Sequence, residues 1–273
     1  MTHQVVLSLF PGIGLLDRAF EAEGFCVVRG PDLLWGGDIR KFHAPPLVFD
    51  GVIGGPPCPD FSKLRRSPPT GYGREMIEEY FRVVRDCQPR WWLLENVPGV
   101  PTINFLGVPA QRIDVRGTEV GLRQRRLRHF QFASRDRAPL IVRRRDTPAA
   151  VERACVASEG RLSGGAKEDR GGRSRRGWRE FCDLMGFEAI DMPGMSVEAR
   201  YRAVGNGVPL PMGRLIAAAI RDHPDNYGDR PVTLCKCGCA REVEGKQIFA
   251  LAACRKRMER RRRAFSPMFV DVV

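Results

Sequence analysis

The sequence predicts an α/β fold in which helices cover a parallel sheet, with a short polar region and a basic tail appended. Two observations carry that expectation. Apolar runs of strand length alternate with segments of helical spacing, the pattern of consecutive β–α–β units. The chain of 273 residues is 43% hydrophobic, enough for one sizeable core and a small appendage.

The elements follow in order. QVVLSLF at 4–10 reads as a buried strand. PGIG turns the chain into LLDRAFEAEG, where Leu15, Leu16, Ala19 and Phe20 fall on one helical face and Gly24 stops it. FCVVRGPD at 25–32 reads as a second strand ending in an acid, and LVFDGVIGG at 47–55 as a third. REMIEEYFRVVRDCQP is an amphipathic helix with Met76, Ile77, Tyr80, Phe81 and Val84 on one face. RWWLLENV at 90–97 is a fourth strand, and 110–132 reads as extended segments with polar breaks, ending at RHFQFAS. From 134 to 177 the chain is rich in Arg, Gly and Ser, either a linker without fixed structure or a nucleic-acid-contacting region. WREFCDLMGF and VPLPMGRLIAAAIRD resume helical pattern, and the chain from 229 is a separate Cys-containing basic tail.

Lys and Arg total 45 against 32 Asp and Glu, a net charge of +13. The arginines cluster at 123–128, 143–145, 170–176 and 260–263. Such clusters are either solvated surface or a footprint for a polyanion, most simply nucleic acid. No basic amphipathic helix with an aromatic face argues for a membrane surface. No run looks long enough to span a bilayer, and no charged leader precedes an apolar run, so a cytoplasmic protein is expected. Nine cysteines without an export signal favour thiol chemistry or metal binding over disulfides.

The stretch GGPPCPDFS at 54–62 holds one thiol in a stiff frame, because proline fixes φ and restricts the residue before it. It follows the third strand, and Glu95 ends the fourth. Neighbouring strand ends at one edge of a parallel sheet form a ligand crevice. A thiol at Cys58 and a carboxyl at Glu95 would converge there, a pairing suited to nucleophilic attack with an acid beside it. The turn carrying Gly12 and Gly14 leaves backbone N–H groups free for an anionic group. Asp32 sits where such sheets hold a ribose, and Asp38 where a second loop meets a base. Taken singly, each has a plainer reading as a turn residue.

These motifs together resemble the DNA (cytosine-5) methyltransferase family. LFPGIG resembles its first motif, GGPPCPDFS its catalytic cysteine loop, ENV its glutamate motif, QRRLRHF its Q-x-R-x-R element and VGNGVPLPMG its last motif, in family order from about 5 to 220. The resemblance implies a Rossmann-like, S-adenosylmethionine-dependent methyltransferase fold. It implies that Phe10, Gly12, Gly14, Asp32, Asp38, Ile39, Asn206 and Val208 hold S-adenosyl-L-methionine, with Asp32 on the ribose. It gives catalysis to Cys58, Glu95, Arg126 and Arg128, and substrate contact to Pro57, Ser62 and Gln124. Cys58 would add to carbon 6 of cytosine and Glu95 would hold the ring nitrogen. The base must leave the stack, so the implied partner is double-stranded DNA with a flipped base, bound by a monomer of bacterial or phage origin in restriction-modification. An RNA cytosine-5 methyltransferase and a catalytically silent DNA-binding protein remain the alternatives.

The expected organisation is 1–133 catalytic and cofactor-binding, 134–177 target recognition, 178–228 return to the catalytic domain and 229–273 tail. Pro59 follows Cys58 where the family often has glutamine, the stretch from Asp32 to Asp38 is too short for the usual helix, and the recognition region is small. That region predicts recognition of few bases or of several contexts. In the tail, Cys235, Cys237, Cys239 and Cys254 are candidates for a four-thiolate zinc site. CxCG…ACRKR resembles small zinc-ribbon tails, although Ala250 stands where those often carry cysteine. The alternative is a basic tail with free thiols.

Overall fold

A computed structural model describes residues 4–57, 59–61, 68–145, 152–162, 174–223, 233–237, 241–264 and 269–272. The expected calls on Cys58, Ser62 and Cys239 lie outside the described residues.

The central sheet contains β1 (Val5–Leu9), β2 (Cys26–Arg29), β3 (Gly51–Gly54), β4 (Trp91–Asn96), β7 (Gln111–Arg116) and β8 (Leu127–Ser134), in the order β2-β1-β3-β4-β8-β7. The first four are parallel, with Leu7 level with Val28, Leu9 with Gly54, and Gly54 with Leu94. β8 is antiparallel to both β4 and β7, so β7 runs the same way as the parallel strands. The sheet is therefore mixed, one step from the all-parallel expectation, because 110–132 forms a hairpin rather than another crossover. Two further strands, β5 (Thr102–Phe105) and β6 (Val108–Pro109), form a small second sheet with β9 (Phe269–Val272), which the sequence pattern does not reveal.

The helices are α1 (Leu15–Glu21), α2 (Tyr72–Cys87), α3 (Trp178–Leu184), α4 (Val197–Asn206), α5 (Leu210–Arg221) and α6 (Ala252–Ala264). On one side of the sheet α1 and α5 cover Val6, Ile53, Leu93, Phe130 and Phe132. On the other, α2 buries the face its spacing predicts: Met76, Ile77, Tyr80, Phe81 and Val84 lie against Leu7, Val52, Trp92 and Leu94. Tyr80 also brings its hydroxyl to the carbonyls of Leu93 (2.9 Å) and Val52 (3.1 Å), which satisfies a polar group that burial would otherwise penalise. Between Asp32 and Asp38 only a single turn of 3-10 helix forms, at Leu33–Trp35, in keeping with the shortness of that stretch. The stretch Val197–Arg221 has the length and composition of a membrane span, but half of it is buried in the molecule and Gly207–Pro209 separates it into α4 and α5.

The polar segment 134–177 is partly built into the core. Leu140 and Val142 pack beside Phe132 and Ile113, and Cys155 is fully buried beside Phe181 and Tyr201. Its few apolar residues are the ones that anchor it, a detail that average composition conceals.

Candidate active site

The order β2-β1-β3 makes the chain leave β1 toward opposite sides, so a crevice opens where the β1 and β3 loops part. On the β1 side, Phe10 has φ +56, a left-handed backbone uncommon for a bulky residue, and its N–H donates to Pro31 O at 3.2 Å. Gly12 follows at φ +56, and a Cβ there would meet no protein atom within 4 Å. Its N–H donates to Asp32 Oδ2 at 2.8 Å, and Leu34 N–H donates to Oδ1 at 2.8 Å. Gly14 caps α1 in left-handed geometry. Sequence reasoning missed Trp35 here: its indole N–H donates to Gly12 O at 2.7 Å, while the ring and the neighbouring Leu33 and Leu34 stay exposed. The only signal was an apolar LLW run in a polar loop.

Open space beside a positive-φ glycine, next to a carboxylate that two backbone N–H groups orient, fits S-adenosylmethionine. The last-motif loop closes this side, since a Cβ on Gly207 would fall 2.6 Å from Leu15 Cδ1 in the first turn of α1. Asn206 is exposed at the end of α4, whereas Val208 is buried among Leu16, Met212 and Ile216. Asp38 and Ile39 lie on the α2 side. The Asp38 carboxylate is engaged by Arg40, whose Nε and Nη2 approach to 2.9 and 2.8 Å and hold that carboxyl below its usual range. The Ile39 side chain is buried in the α2-side core, and its carbonyl accepts from Arg82 at 2.7 Å.

On the β3 side the loop around residue 58 is tied at both flanks. Asn96 Nδ2 donates to Pro56 O at 3.1 Å. Pro57 is half-buried. Asp60 accepts from Thr70 N–H at 2.9 Å and Gly73 N–H at 2.6 Å, supplying the carboxylate cap that α2 lacks at Gly71. The Pro59–Asp60 departure thus gives the loop an anchor to α2.

Glu95 is the meeting point. It is 7% exposed, and its Oε2 lies 3.1 Å from where a Cβ on Gly55 would sit, so glycine permits this approach. Arg128 Nε stands 2.9 Å from Glu95 Oε1 in charge contact, but the N–H is not aligned for a hydrogen bond. Burial pushes the Glu95 carboxyl above its ordinary range, and the guanidinium groups of Arg128 and Arg126 partly oppose this. A carboxyl so held can keep a proton and deliver it to a ring nitrogen.

Two expected site residues sit elsewhere. Gln124, expected at the DNA, is fully buried. Its amide nitrogen donates to Leu184 O, and its carbonyl accepts Cys155 N–H at 3.0 Å. Arg126, expected among the catalytic residues, is 3% exposed. It donates to Cys155 O, and at 2.7 Å to both Gly205 O and Gly207 O. A buried guanidinium surrounded by carbonyls stays there, because no solvated phosphate contact repays the lost hydrogen bonds. Q-x-R-x-R thus divides its labour: Gln124 and Arg126 hydrogen-bond the backbone at 155, 184, 205 and 207, and Arg128 makes the ion pair with Glu95.

In the tail, the sulfurs of Cys235, Cys237 and Cys254 lie within 4.8 Å of one another, and all three residues are buried. Cys235 and Cys237 sulfurs are 3.5 Å apart, too far for a disulfide at ~2.05 Å and close to the ~3.8 Å edge of a tetrahedron with Zn–S of ~2.3 Å. Ala250 N–H approaches Cys235 sulfur at 3.2 Å, the kind of contact that steadies a thiolate ligand. The donor set fits zinc.

Residues 35–105 match the family model described as C-5 cytosine-specific DNA methylase. The chain is 32% identical over 114 residues to the Type II methyltransferase M.NgoPII of Neisseria gonorrhoeae, covering 35% of this chain and 33% of that protein. It is 36% identical over 115 residues to the Type II methyltransferase M.FnuDI of Fusobacterium nucleatum, with 35% and 33% covered. The matched region therefore spans about a third of the length of these curated relatives. The fold is similar to that of the Entamoeba histolytica methyltransferase EhMeth, with TM-score 0.53, 12% identity, and 81% of this chain and 98% of that one covered.

Proposed function

We propose that the chain is a C-5 cytosine-specific DNA methylase, like the family that residues 35–105 match and the relatives the chain resembles, and that it methylates carbon 5 of cytosine in duplex DNA, as a cytoplasmic modification enzyme. The observation that carries the reading is the joining of two strand ends. Glu95 reaches over Gly55 while Asn96 holds Pro56, so acid and cysteine loop are tied to one another.

In this reading the Cys58 thiolate adds to carbon 6 of a flipped cytosine, and a carbon–sulfur bond forms. The displaced ring electrons end at N3, which takes the proton of Glu95. Carbon 5 is thereby made electron-rich. S-adenosylmethionine, when bound, supplies the electrophilic methyl group. Once carbon 5 carries the methyl group, it gives up its own proton to solvent water, those electrons re-form the 5,6 double bond as the carbon–sulfur bond breaks and the Cys58 thiolate leaves, and N3 returns its proton to Glu95. Arg128 orients the Glu95 carboxyl. Asp32 has lone pairs left for ribose hydroxyls, and the space at Gly12 receives the rest of the cofactor.

Duplex DNA with 5-fluorocytosine at the target tests the mechanism, because fluorine cannot leave as the proton does. A covalent adduct mapping to Cys58, and lost in Cys58→Ser, is expected. An adduct on another cysteine overturns the assignment. Glu95→Gln should slow turnover by ~10²-fold or more. Bisulfite sequencing of DNA and RNA from expressing cells checks the substrate, and marks confined to RNA would overturn the DNA reading.

For the tail we propose one zinc ion held by Cys235, Cys237, Cys254 and, from outside the described residues, Cys239. Metal analysis of the full chain should return about one zinc per molecule. None under reducing, metal-replete conditions would end that reading.

A further inference from the structure

We propose that the C-terminal cysteine module is a second DNA grip, an arm that presents the cations of α6 to the phosphate backbone at the catalytic edge of the sheet. The proposal rests on the DNA reading above and adds a surface that the methyl-transfer chemistry does not require.

Topology fixes where the arm is attached. β7 runs parallel to β1–β4, so its end at Arg116 and the turn Gly117–Val120 lie at the same sheet edge as Gly12, Gly55 and Glu95. Glu119 in that turn is the mooring point. Its Oε1 lies 3.5 Å from Arg241 Nη2, and its Oε2 lies 2.8 Å from Arg144 Nη1. The Glu119 side chain is 8% exposed and that of Arg241 12%. Such a pair is costly to separate, unlike an exposed one, because separation strands a charge in a poorly solvated place. The chain beyond α6 returns as well: β9 pairs in parallel with β5, the strand that follows Glu95 and its loop. Both flanks of α6 are thus fastened to the catalytic domain.

The cysteines fix the base of α6. Cys235 N–H donates to Arg241 O at 2.8 Å and Val243 N–H to Thr233 O at 2.8 Å, forming a small hairpin. Cys254, in the first turn of α6, brings its sulfur to those of Cys235 and Cys237 on the hairpin. α6 itself, AACRKRMERRRRA, carries Arg255, Lys256, Arg257 and Arg260–Arg263 against Glu259 alone. Arg255 and Lys256 are exposed. A helix of this composition has no apolar face for a core or a bilayer, and seven cations in thirteen residues repel one another unless a polyanion neutralises them. Duplex DNA at this edge supplies that polyanion, and the arm compensates for a recognition segment with few residues to offer.

The test is the salt dependence of binding by the full chain to duplex DNA. Each phosphate contact contributes about 0.9 to the slope of log K against log salt. Replacing Arg255→Gln, Lys256→Gln and Arg260→Gln together should lower that slope by roughly 2 to 3, with the same zinc content as the parent chain, which also reports that the module is folded. Cys254→Ser should lose zinc and reproduce the shallower slope. An unchanged slope in the triple variant overturns the arm while leaving methyl transfer untouched. Parent protein that binds duplex DNA but methylates only RNA would instead overturn the functional reading, with the slope still reporting on the arm.

Discussion

Around α2 and β4 the chain is ordered by aromatic mass: Phe81 meets Trp92 edge-on at 4.8 Å and Phe105 at 4.8 Å, and Tyr80 sits 5.0 Å from Phe81. Among its described residues, the module from 235 to 254 buries Cys235, Cys237, Val243 and Cys254, with Phe249 and Ala250 partly covered. Burying one large apolar side chain contributes ~1.5–3 kcal/mol, whereas ordering backbone costs ~1–2 kcal/mol per residue. The sheet half meets that cost from its own side chains. Among its described residues the module buries one valine beside its three cysteines, and the zinc proposed for them would contribute ~10 kcal/mol or more. The difference teaches that one chain can hold two regions with separate conditions for folding.

On the zinc reading, the largest effect should come from removing the metal. Chelation should unfold 233–254 while leaving the sheet's hydrogen exchange unchanged, as measured amide by amide. Thiol alkylation at pH 8 gives a second reading. Burial pushes Cys87 up to about 12 and Cys155 and Cys182 up to about 11. A thiol at 11 is thiolate to about one part in 10³ at that pH, and labelling of these three should rise only as pH approaches those values. On the zinc reading, Cys235, Cys237 and Cys254 should be labelled only once the metal has been removed. Simultaneous labelling of both groups would mean that the two regions are one cooperative unit.

Phe81→Ala should cost ~3–5 kcal/mol in denaturant unfolding and leave zinc content unchanged, sharpening the contrast from the other side. Gly51→Ala should cost ~1–3 kcal/mol, because the new Cβ would fall 2.2 Å from the Trp91 ring. A neutral result there would mean that the core repacks freely. Gly12→Ala is the smallest in stability, ~1–2 kcal/mol of left-handed strain, since no protein atom lies within 4 Å of the added carbon. Its calorimetric affinity for S-adenosylmethionine should nevertheless fall, and unchanged affinity would mean that the space beside Gly12 is not used.

Much of the sheet half was legible because its signals are local. Alternating apolar runs give β1, β3, β4 and α2, and short motifs mark the loops between them. The helix α4 was not legible, because its apolar residues Tyr201 and Val204 are diluted by Glu198, Arg200 and Arg202. Nor were β5 and β6, a hairpin too short to leave a pattern, or β9, which pairs with β5 across more than 150 residues. The site was readable as a set of residue types but not as a division of roles. Gln124, Arg126 and Arg128 look equivalent as a motif, and only burial separates the two that brace from the one that faces Glu95. Asp60 was equally opaque, because the helix it caps begins twelve residues later.

The three carbonyls gathered by Arg126 have a consequence for how such a chain changes over time. Cys155 lies before the Arg/Gly-rich stretch at 163–173, and Gly205 and Gly207 lie well after it, yet one guanidinium joins them. Arg176 seals the near side, with Nη2 donating to Arg153 O at 2.8 Å. One side chain therefore fastens two stretches that are far apart in the sequence at a single point. Substitutions at these positions must arise in concert, because losing Arg126 would strand three carbonyls at once.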